Sequence, residues 1–472
     1  MLNRISSSLR TRYVKYGGFA AVIAIGAIAA AILLNLIVQM ISPQFDLSPN
    51  KVFSLSEQTL RVIEAVKEPA AIYGIWEPGG EEIRAKEIAE RYAAKNRLIR
   101  FEAADPDLNP GLMKRFDRNG KGIPKGSLVV EGAKGFKVIT PMDMYDVYYN
   151  QQQAPQVTGI AIEKRITAAL LYAGAGETPA VYEITGHQEA PLAVQDALER
   201  ENYALRQASL MQTPIPENAA GVILNNPKTP FAPAEAERLR DYLEGGGRLL
   251  ALLDYRSGAA ESLNDVLSGY GLRFDYGVVA ELDPNYRFGG GSLFEFLPAM
   301  QAQDIVNPLI ENKTPVFMPL SMGVSVSDIR RRTVKAVPFL ASSDKSFLRT
   351  DLNSSAQEQL PADIPGPITL GIAAVDPEYP EDGKQTRIVL VGNAMFAELT
   401  AQIPGNLDFF MNALAWITDR PEVLSVGSRS TFMMPMSMNQ LTALIIGLVF
   451  VVLIPLICFV LGLITWLRRR HL

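Results

Sequence analysis

The chain has 472 residues, with 45 Lys and Arg against 50 Asp and Glu, a formal net charge of −5 and 48% hydrophobic residues. That length is enough for two cores of ordinary domain size, and the acidic balance argues against nucleic acid as a partner. The one cysteine, Cys458, excludes a disulfide framework and leaves the rest of the chain without a thiol nucleophile or a cysteine-based metal site.

Two apolar runs bracket the chain. Residues 1–16 carry Arg4, Arg10, Arg12 and Lys15 without an acid, and residues 17–41 are apolar apart from Asn35 and Gln39. That run exceeds the roughly 7–15 residues of a cleaved signal core and predicts an uncleaved transmembrane helix. The second run, Leu441 to Leu467, ends at Arg468-Arg469-Arg470 and also exceeds the roughly 20 residues that a bilayer core requires. Basic flanks on an even number of spans predict a bacterial inner-membrane protein with both termini cytoplasmic. The intervening residues 42–440 then lie outside that membrane, and with 38 basic and 50 acidic residues they carry a net −12. Gly26 and Ala30, spaced by four, let helices approach closely, and Pro455 and Gly462 interrupt the last run. These four are candidates for docking on a partner.

The expected layout is a cytoplasmic N-terminus (1–16), a span (17–41) and a first extracytoplasmic α/β domain (42–140). A linker with a connecting helix follows (141–176), then a second α/β domain (177–425) with an insertion near 275–365. A juxtamembrane segment (426–440), the second span (441–467) and a cytoplasmic tail (468–472) complete it. In the first domain, Ser54-Leu55-Ser56-Glu57 has the capping-box pattern and predicts a helix to about Val66. Strands are predicted at Ala70–Trp76 and Leu98–Ala103 around a helix at Glu81–Lys95, then a short helix at Asn109–Asp117. A hairpin is predicted at Ser127–Glu131 and Phe136–Ile139. This is a thioredoxin-like order without that fold's redox Cys-x-x-Cys. Residues 140–156 read as a polar linker, and Val157–Ala173 as the connecting helix.

The second domain alternates short apolar strands with helices, which implies a mainly parallel sheet covered on both faces. Strands are predicted at Ala180–Thr185, Ala204–Ser209, Gly221–Leu224, Arg248–Leu253 and Arg387–Val391. The helices are Ala190–Arg200, Pro233–Leu243, Glu261–Leu267 and Asn406–Ile417. Gly245-Gly246-Gly247 closes the second of these helices. Residues 275–365 show no clear period and predict long loops or an inserted subdomain.

Gly186-His187-Gln188-Glu189 leaves the carboxyl end of a predicted parallel strand, where such sheets bind ligands. His187 with Glu189 has the makings of an acid–base pair; the competing reading is that both hold the loop by hydrogen bonds to neighbouring backbone. Asp254 also ends a strand, and with Glu189 it offers the two carboxylates that a glycan hydrolase uses. No nucleophile motif, second histidine near the first, H-E-x-x-H or P-loop is present, so neither metal nor cofactor is expected, nor ATP hydrolysis by a P-loop.

The order of Val52–Leu60, Thr185-Gly186-His187-Gln188-Glu189, Tyr242-Leu243-Glu244-Gly245-Gly246-Gly247, Leu252-Leu253-Asp254, Val391-Gly392-Asn393 and Asn406–Trp416, between two terminal apolar runs, resembles the gliding-motility-type (GldG-like) auxiliary subunits of ABC transporters. It departs from their usual pattern at Gln188, where a second glycine is common, and at Asn393, where an aspartate is common. The resemblance implies a second domain related to glutamine-amidotransferase-like α/β folds without the catalytic cysteine, and a complex with an ABC permease and a separate ATPase. It further implies contact with membrane lipid and with an envelope polysaccharide or protein. A non-catalytic subunit with ligand-binding candidates His187, Glu189, Asp254 and Asn393 is therefore expected. A membrane-anchored glycan hydrolase and a purely structural envelope scaffold are the alternatives.

Overall fold

The structure is a computed structural model that describes residues 22–33, 54–117, 120–149, 155–176, 178–189, 192, 194–377, 385–400, 403–420, 429–430 and 453–470. It divides into two compact units, Met1–Ser54 and Leu55–Leu472. In the first, residues 22–33 are helical, with Val22, Ile25 and Leu33 exposed.

The second unit opens with α1 (Glu57–Ala65), β1 (Ala70–Ile75), α2 (Ile83–Lys95), β2 (Ile99–Ala104), α3 (Pro110–Phe116), β3 (Ser127–Gly132) and β4 (Gly135–Ile139). The N-cap of α1 is Ser56, whose hydroxyl accepts from Thr59 N at 3.2 Å, so the capping pattern sits two residues beyond the expected one. The four strands form one sheet in the order β2-β1-β3-β4, with β1 and β2 parallel and β3 antiparallel to β1 and β4. The strand–helix–strand unit and the hairpin thus occupy the places expected of them, within two residues.

The next stretch differs from expectation. β5 (Tyr145–Tyr149) and β6 (Pro155–Ile160) pair antiparallel where a polar linker and the start of a helix are predicted. The tyrosines and Val147, Val157 and Ile160 carry the aromatic and β-branched bias of strands, which the intervening glutamines mask. The helix α4 begins only at Ile162 and runs to Ala175, packing on β3 and β4 and on α1 and α2.

The remaining elements are β7 (Ala180–Ile184), α5 (Gln195–Arg200), β8 (Ala204–Ala208), β9 (Gly221–Asn225), α6 (Pro233–Glu244), β10 (Arg248–Leu252), α7 (Ala260–Leu267), β11 (Leu272–Asp275), β12 (Val278–Ala280), β13 (Glu295–Phe296), β14 (Ala299–Met300), α8 (Asn307–Glu311), β15 (Met318–Pro319), β16 (Gly323–Val326), β17 (Lys335–Ala341), β18 (Phe347–Arg349), β19 (Ile364–Pro365), β20 (Thr369–Asp376), β21 (Thr386–Val391), α9 (Met395–Glu398), α10 (Pro404–Ile417), β22 (Arg429–Ser430) and α11 (Ile454–Arg470). Eight strands form one sheet in the order β14-β17-β20-β21-β10-β9-β7-β8. The five from β21 to β8 are parallel, and β20, β17 and β14 extend the sheet antiparallel. Alternate residues bury opposite faces. Val181, Ile223, Leu250 and Val389 pack beneath α10 (Phe409, Leu414), whereas Tyr182, Leu224, Leu249 and Leu390 pack beneath α6 and α7 (Leu239, Leu263). Residues 275–365 supply strands of two to seven residues, including two that join the main sheet.

Two expectations are corrected. Residues 22–33 and the 17 residues of α11 are helical, and at 1.5 Å per residue they reach about 18 and 26 Å, short of a hydrocarbon core of about 30 Å. The second also ends in three arginines. No helix among the described residues is long and apolar enough to cross a membrane. The predicted spans at 17–41 and 441–467 are therefore not part of the fold as described, and residues 17–21, 34–41 and 441–452 lie outside the described residues. Among the described residues the fold is mixed α/β without the two bracketing membrane helices, and inner-membrane placement with cytoplasmic termini loses its support.

Candidate functional site

The order of the parallel strands reverses at β7: the chain steps outward to β8, then returns to place β9 on the other side. Such a switch point opens a crevice at the carboxyl ends of the strands. Three loops meet there, after β7, β9 and β10, and α9 follows β21 at the same edge.

His187 lies in the first loop and is buried. Its Nε2 is 3.1 Å from Glu235 Oε2 and its Nδ1 is 3.3 Å from Glu189 Oε1, although the second contact lacks hydrogen-bond alignment. The ring meets Phe231 edge-on, with centroids 4.6 Å apart. The His187 carbonyl accepts from Lys228 N at 2.7 Å, which ties the β7 loop to the β9 loop. Glu189 Oε2 accepts from Gly186 N at 3.0 Å and His187 N at 2.9 Å. Glu189 therefore folds its own loop, and His187 staples that loop to the start of α6. Glu235 is not among the site residues that the sequence predicts. The Pro233-x-Glu235 start of α6 does signal a glutamate turned back on the N-cap, and Glu235 Oε2 accepts from Ala232 N at 2.9 Å. Nothing local connects it to a histidine 48 positions earlier.

Gln188 has φ 57°, in the left-handed region where glycine is at ease and other residues are strained. A Gln188→Gly substitution should therefore raise stability by about 0.5–1 kcal/mol. Chemical denaturation should show the midpoint move up with an unchanged slope; a lower midpoint would mean that the glutamine side chain outweighs its backbone.

Asp254 is fully buried at the end of β10. Oδ1 accepts from Arg256 N at 2.8 Å and Arg256 Nε at 3.0 Å, and Oδ2 accepts from Asn226 Nδ2 at 2.7 Å and from the Arg256 guanidinium. Burial pushes its carboxyl upward, but Arg256 and Asn226 outweigh it and hold the group below its ordinary value. Arg256 also reaches Glu398 of α9 at 3.7 Å. Beside this pair, the Lys228 ammonium has no hydrogen-bond partner among the described residues, and burial lowers its proton affinity. A carboxylate saturated in this way is not the exposed partner that a two-carboxylate hydrolysis requires.

Asn393, also fully buried, donates from Nδ2 to Pro319 O at 2.5 Å and Ser321 Oγ at 2.9 Å, and accepts from Phe396 N at 2.8 Å. It caps α9 and fastens the end of β21 to β15. Its neighbour Gly392 is required by close approach, since a Cβ there would lie 2.1 Å from Met322 O.

The open space at this edge is a groove of about 640 Å³ beside the β7 loop. Glu183 of β7, Leu205 and Gln207 of β8, and Gln188, Glu189 and Gln195 are among its lining residues. Glu183 is buried, with hydrogen bonds to Gln207 and to the Leu192 backbone; burial raises its pKa, and Glu189 adds to the rise. Of the ligand-binding candidates, Glu189 faces the groove, His187 braces it from behind, and Asp254 and Asn393 are taken up by their own hydrogen bonds. No group of His, Cys, Asp and Glu suited to a metal ion occurs among the described residues. Gly26 and Ala30 lie in the helical residues 22–33 and Pro455 and Gly462 in α11, all exposed.

An α/β protein with a mainly parallel sheet, and a polar groove at its carboxyl edge, is the class that the fold and this site define. The chain belongs to the family of auxiliary components described as an ABC-type uncharacterized transport system, which matches residues 170–413. It is thus an auxiliary component of an ABC-type transport system. The match does not extend to the gliding-type subtype, to polysaccharide or to lipid. No curated protein matches the chain. Among solved structures, the mmIFT52 N-terminal domain is 15% identical, with 50% of this chain and 97% of that one covered at a TM-score of 0.37. A glutamine amido transferase from Methylobacillus flagellatus is 11% identical, covering 54% and 98% at 0.27. A glutamine amidotransferase from Thermotoga maritima is 12% identical, covering 52% and 96% at 0.27.

Proposed function

We propose that the chain is a non-enzymatic auxiliary subunit that docks on an ABC permease and its separate ATPase, and that it binds a ligand in the groove at the carboxyl edge of β7 and β8. The groove is the observation that carries the ligand reading: it opens beside the loop that leaves the carboxyl end of β7, and it is lined by carboxylates and amides. His187 and Glu189 serve it by fixing the shape of its loop.

Exposed apolar side chains support the docking reading. Ile23, Ile28 and Ile32 in residues 22–33, and Leu456, Phe459 and Leu461 in α11, are all at least 55% exposed. Apolar surface of this kind marks an interaction site. Gly26, Ala30, Pro455 and Gly462 are the positions proposed to meet the partner.

Affinity purification of the full chain from its own cells should bring down a permease and an ATPase together. A chain recovered repeatedly without either would end the docking reading.

A further inference from the structure

The main sheet ends on one side at β8, and among the described residues no strand pairs with its outer edge. Ala204 N donates to Pro179 O at 3.0 Å and Thr185 N donates to Ala208 O at 2.9 Å. Those two bonds set the phase of the ladder: Ala204, Arg206 and Ala208 turn their backbone groups to β7, so Leu205 and Gln207 turn theirs outward. Arg206 and Gln207 are exposed, which leaves this edge open.

The same two residues, Leu205 and Gln207, direct their side chains into the groove. Groove and edge are thus one continuous surface. Among the described residues its charged lining groups are Glu183 and Glu189, and no basic side chain lines it. Arg206 turns to the opposite face, toward Tyr182. An edge strand with unpaired N–H and C=O groups is a template for another strand, and a pocket beside it selects the side chains of the incoming segment.

We propose that β8 accepts an extended segment of a partner protein as a ninth strand, with a lysine or arginine of that segment entering the groove against Glu183 and Glu189. This rests on reading the groove as the binding site. A neighbouring strand lies about 4.8 Å away, within reach of a long basic side chain whose apolar stem can lie along Leu205. The cation also offsets the like-charge repulsion between Glu183 and Glu189.

The test uses the full chain and two capped peptides, Thr-Val-Thr-Lys-Val-Thr-Val and the same sequence with Glu in place of Lys. Hydrogen exchange is read residue by residue. The lysine peptide should slow the Leu205 and Gln207 amides by about tenfold or more, because those free edge donors become paired. The glutamate peptide should leave them unchanged. Glu183→Gln should weaken binding of the lysine peptide by about tenfold, the loss expected for a hydrogen bond to a charged group. Leu205→Pro removes an outward N–H without touching the ladder to β7 and should abolish protection at Gln207. If that variant melts early, the wild-type exchange still decides.

Unchanged exchange at Leu205 and Gln207 with millimolar lysine peptide overturns the proposal, as does equal protection by both peptides. Binding of butylamine without any protection by the peptide would make this a small-cation site and equally overturn the ninth strand. Co-purification with permease and ATPase is a separate readout, so failure here is distinguishable from failure of the docking reading.

Discussion

Replacing Glu201 by Gln should cost about 3–5 kcal/mol of folding stability, the range for removing one partner of a buried ion pair. Glu201 follows α5 and is almost wholly buried, together with Lys164 and Arg165 of α4. Arg165 donates to its Oε1, Lys164 Nζ lies 3.7 Å from the same oxygen, and Lys164 is also 3.3 Å from Asp408 of α10. The cluster joins the helix that covers the first sheet to the elements of the second. Lys137 of β4 adds to the joint by donating to Glu199 O at 3.0 Å and Arg200 O at 2.7 Å, at the carboxyl end of α5.

Burial works against ionisation of Glu201, but Lys164 and Arg165 outweigh it and hold the carboxyl below its ordinary 4.5. Lys164 is likewise held charged, as burial is outweighed by Asp408 and Glu201. Asp408 moves the other way: burial raises it in spite of Lys164. Glu201 faces two cations and Asp408 one. Glu201 is therefore the carboxylate held ionised more firmly.

A carboxyl depressed in the folded state contributes stability that is fully present above 4.5 and lost as pH falls through its lower folded value. The gap between wild type and Glu201→Gln should therefore be widest near neutrality and close in acid. Asp408 contributes a slope of the opposite sign, and Glu201 is one of the charges that raise it, so the difference between the two proteins reports the cluster as a unit. Urea denaturation should show a lowered midpoint with an unchanged slope, and Arg165→Met combined with Glu201→Leu should regain most of the loss. A single-variant loss under about 1 kcal/mol would mean that the cluster is wetter than its burial implies.

Legibility in the sequence followed length and periodicity. β1, α2 and β2 announce themselves because an unbroken apolar strand is followed by a helix with one apolar face, Ala85, Ile88, Ala89 and Tyr92, all buried. β9, β10 and β21 are apolar except at their ends (Asn225, Arg248, Thr386 and Arg387) because both of their faces are covered. β11 to β19 escape the same reasoning, since most run two to four residues, too few to display a period of two. The terminal runs mislead for the opposite reason. Hydrophobicity over 25 residues or more predicts a span, whereas the described helices at those places are too short for one.

The site divides in the same way. That the loop at His187 and the turn at Asp254 lie on one sheet edge follows from strands read as parallel. What each side chain does there depends on residues distant in sequence. Arg256 is close enough to Asp254 to be suspected, but Asn226 is 28 positions away, and Asn393 meets Pro319 and Ser321 across more than 70 positions. Glu183 lies inside an apolar strand, where one acid among Ala180, Val181, Tyr182 and Ile184 is the only sign of a groove wall.

Asn393 gives the second large effect, from a change of a single atom. Asn393→Asp keeps the shape of the side chain and replaces the donor Nδ2 by an oxygen, which would then face the Pro319 carbonyl oxygen at the 2.5 Å now spanned by a hydrogen bond. Only the Phe396 amide, and the Ser321 hydroxyl after rotation, could donate to an ionised carboxylate there. The site has no exposure to water that could make up the difference. Protonated, the substituted carboxyl can still donate to Pro319 O, so folding should raise its pKa by about three units, equivalent to about 4 kcal/mol at neutral pH. The sign is that of a carboxyl raised on folding: the penalty is small below its unfolded value of about 3.9 and grows as pH rises toward the folded value. Thermal unfolding of Asn393→Asp should approach wild type near pH 4 and fall far below it at pH 7. If the two proteins melt together at pH 7, the position tolerates a carboxylate, and the reading of Asn393 as a neutral cap fixing α9 to β15 is wrong.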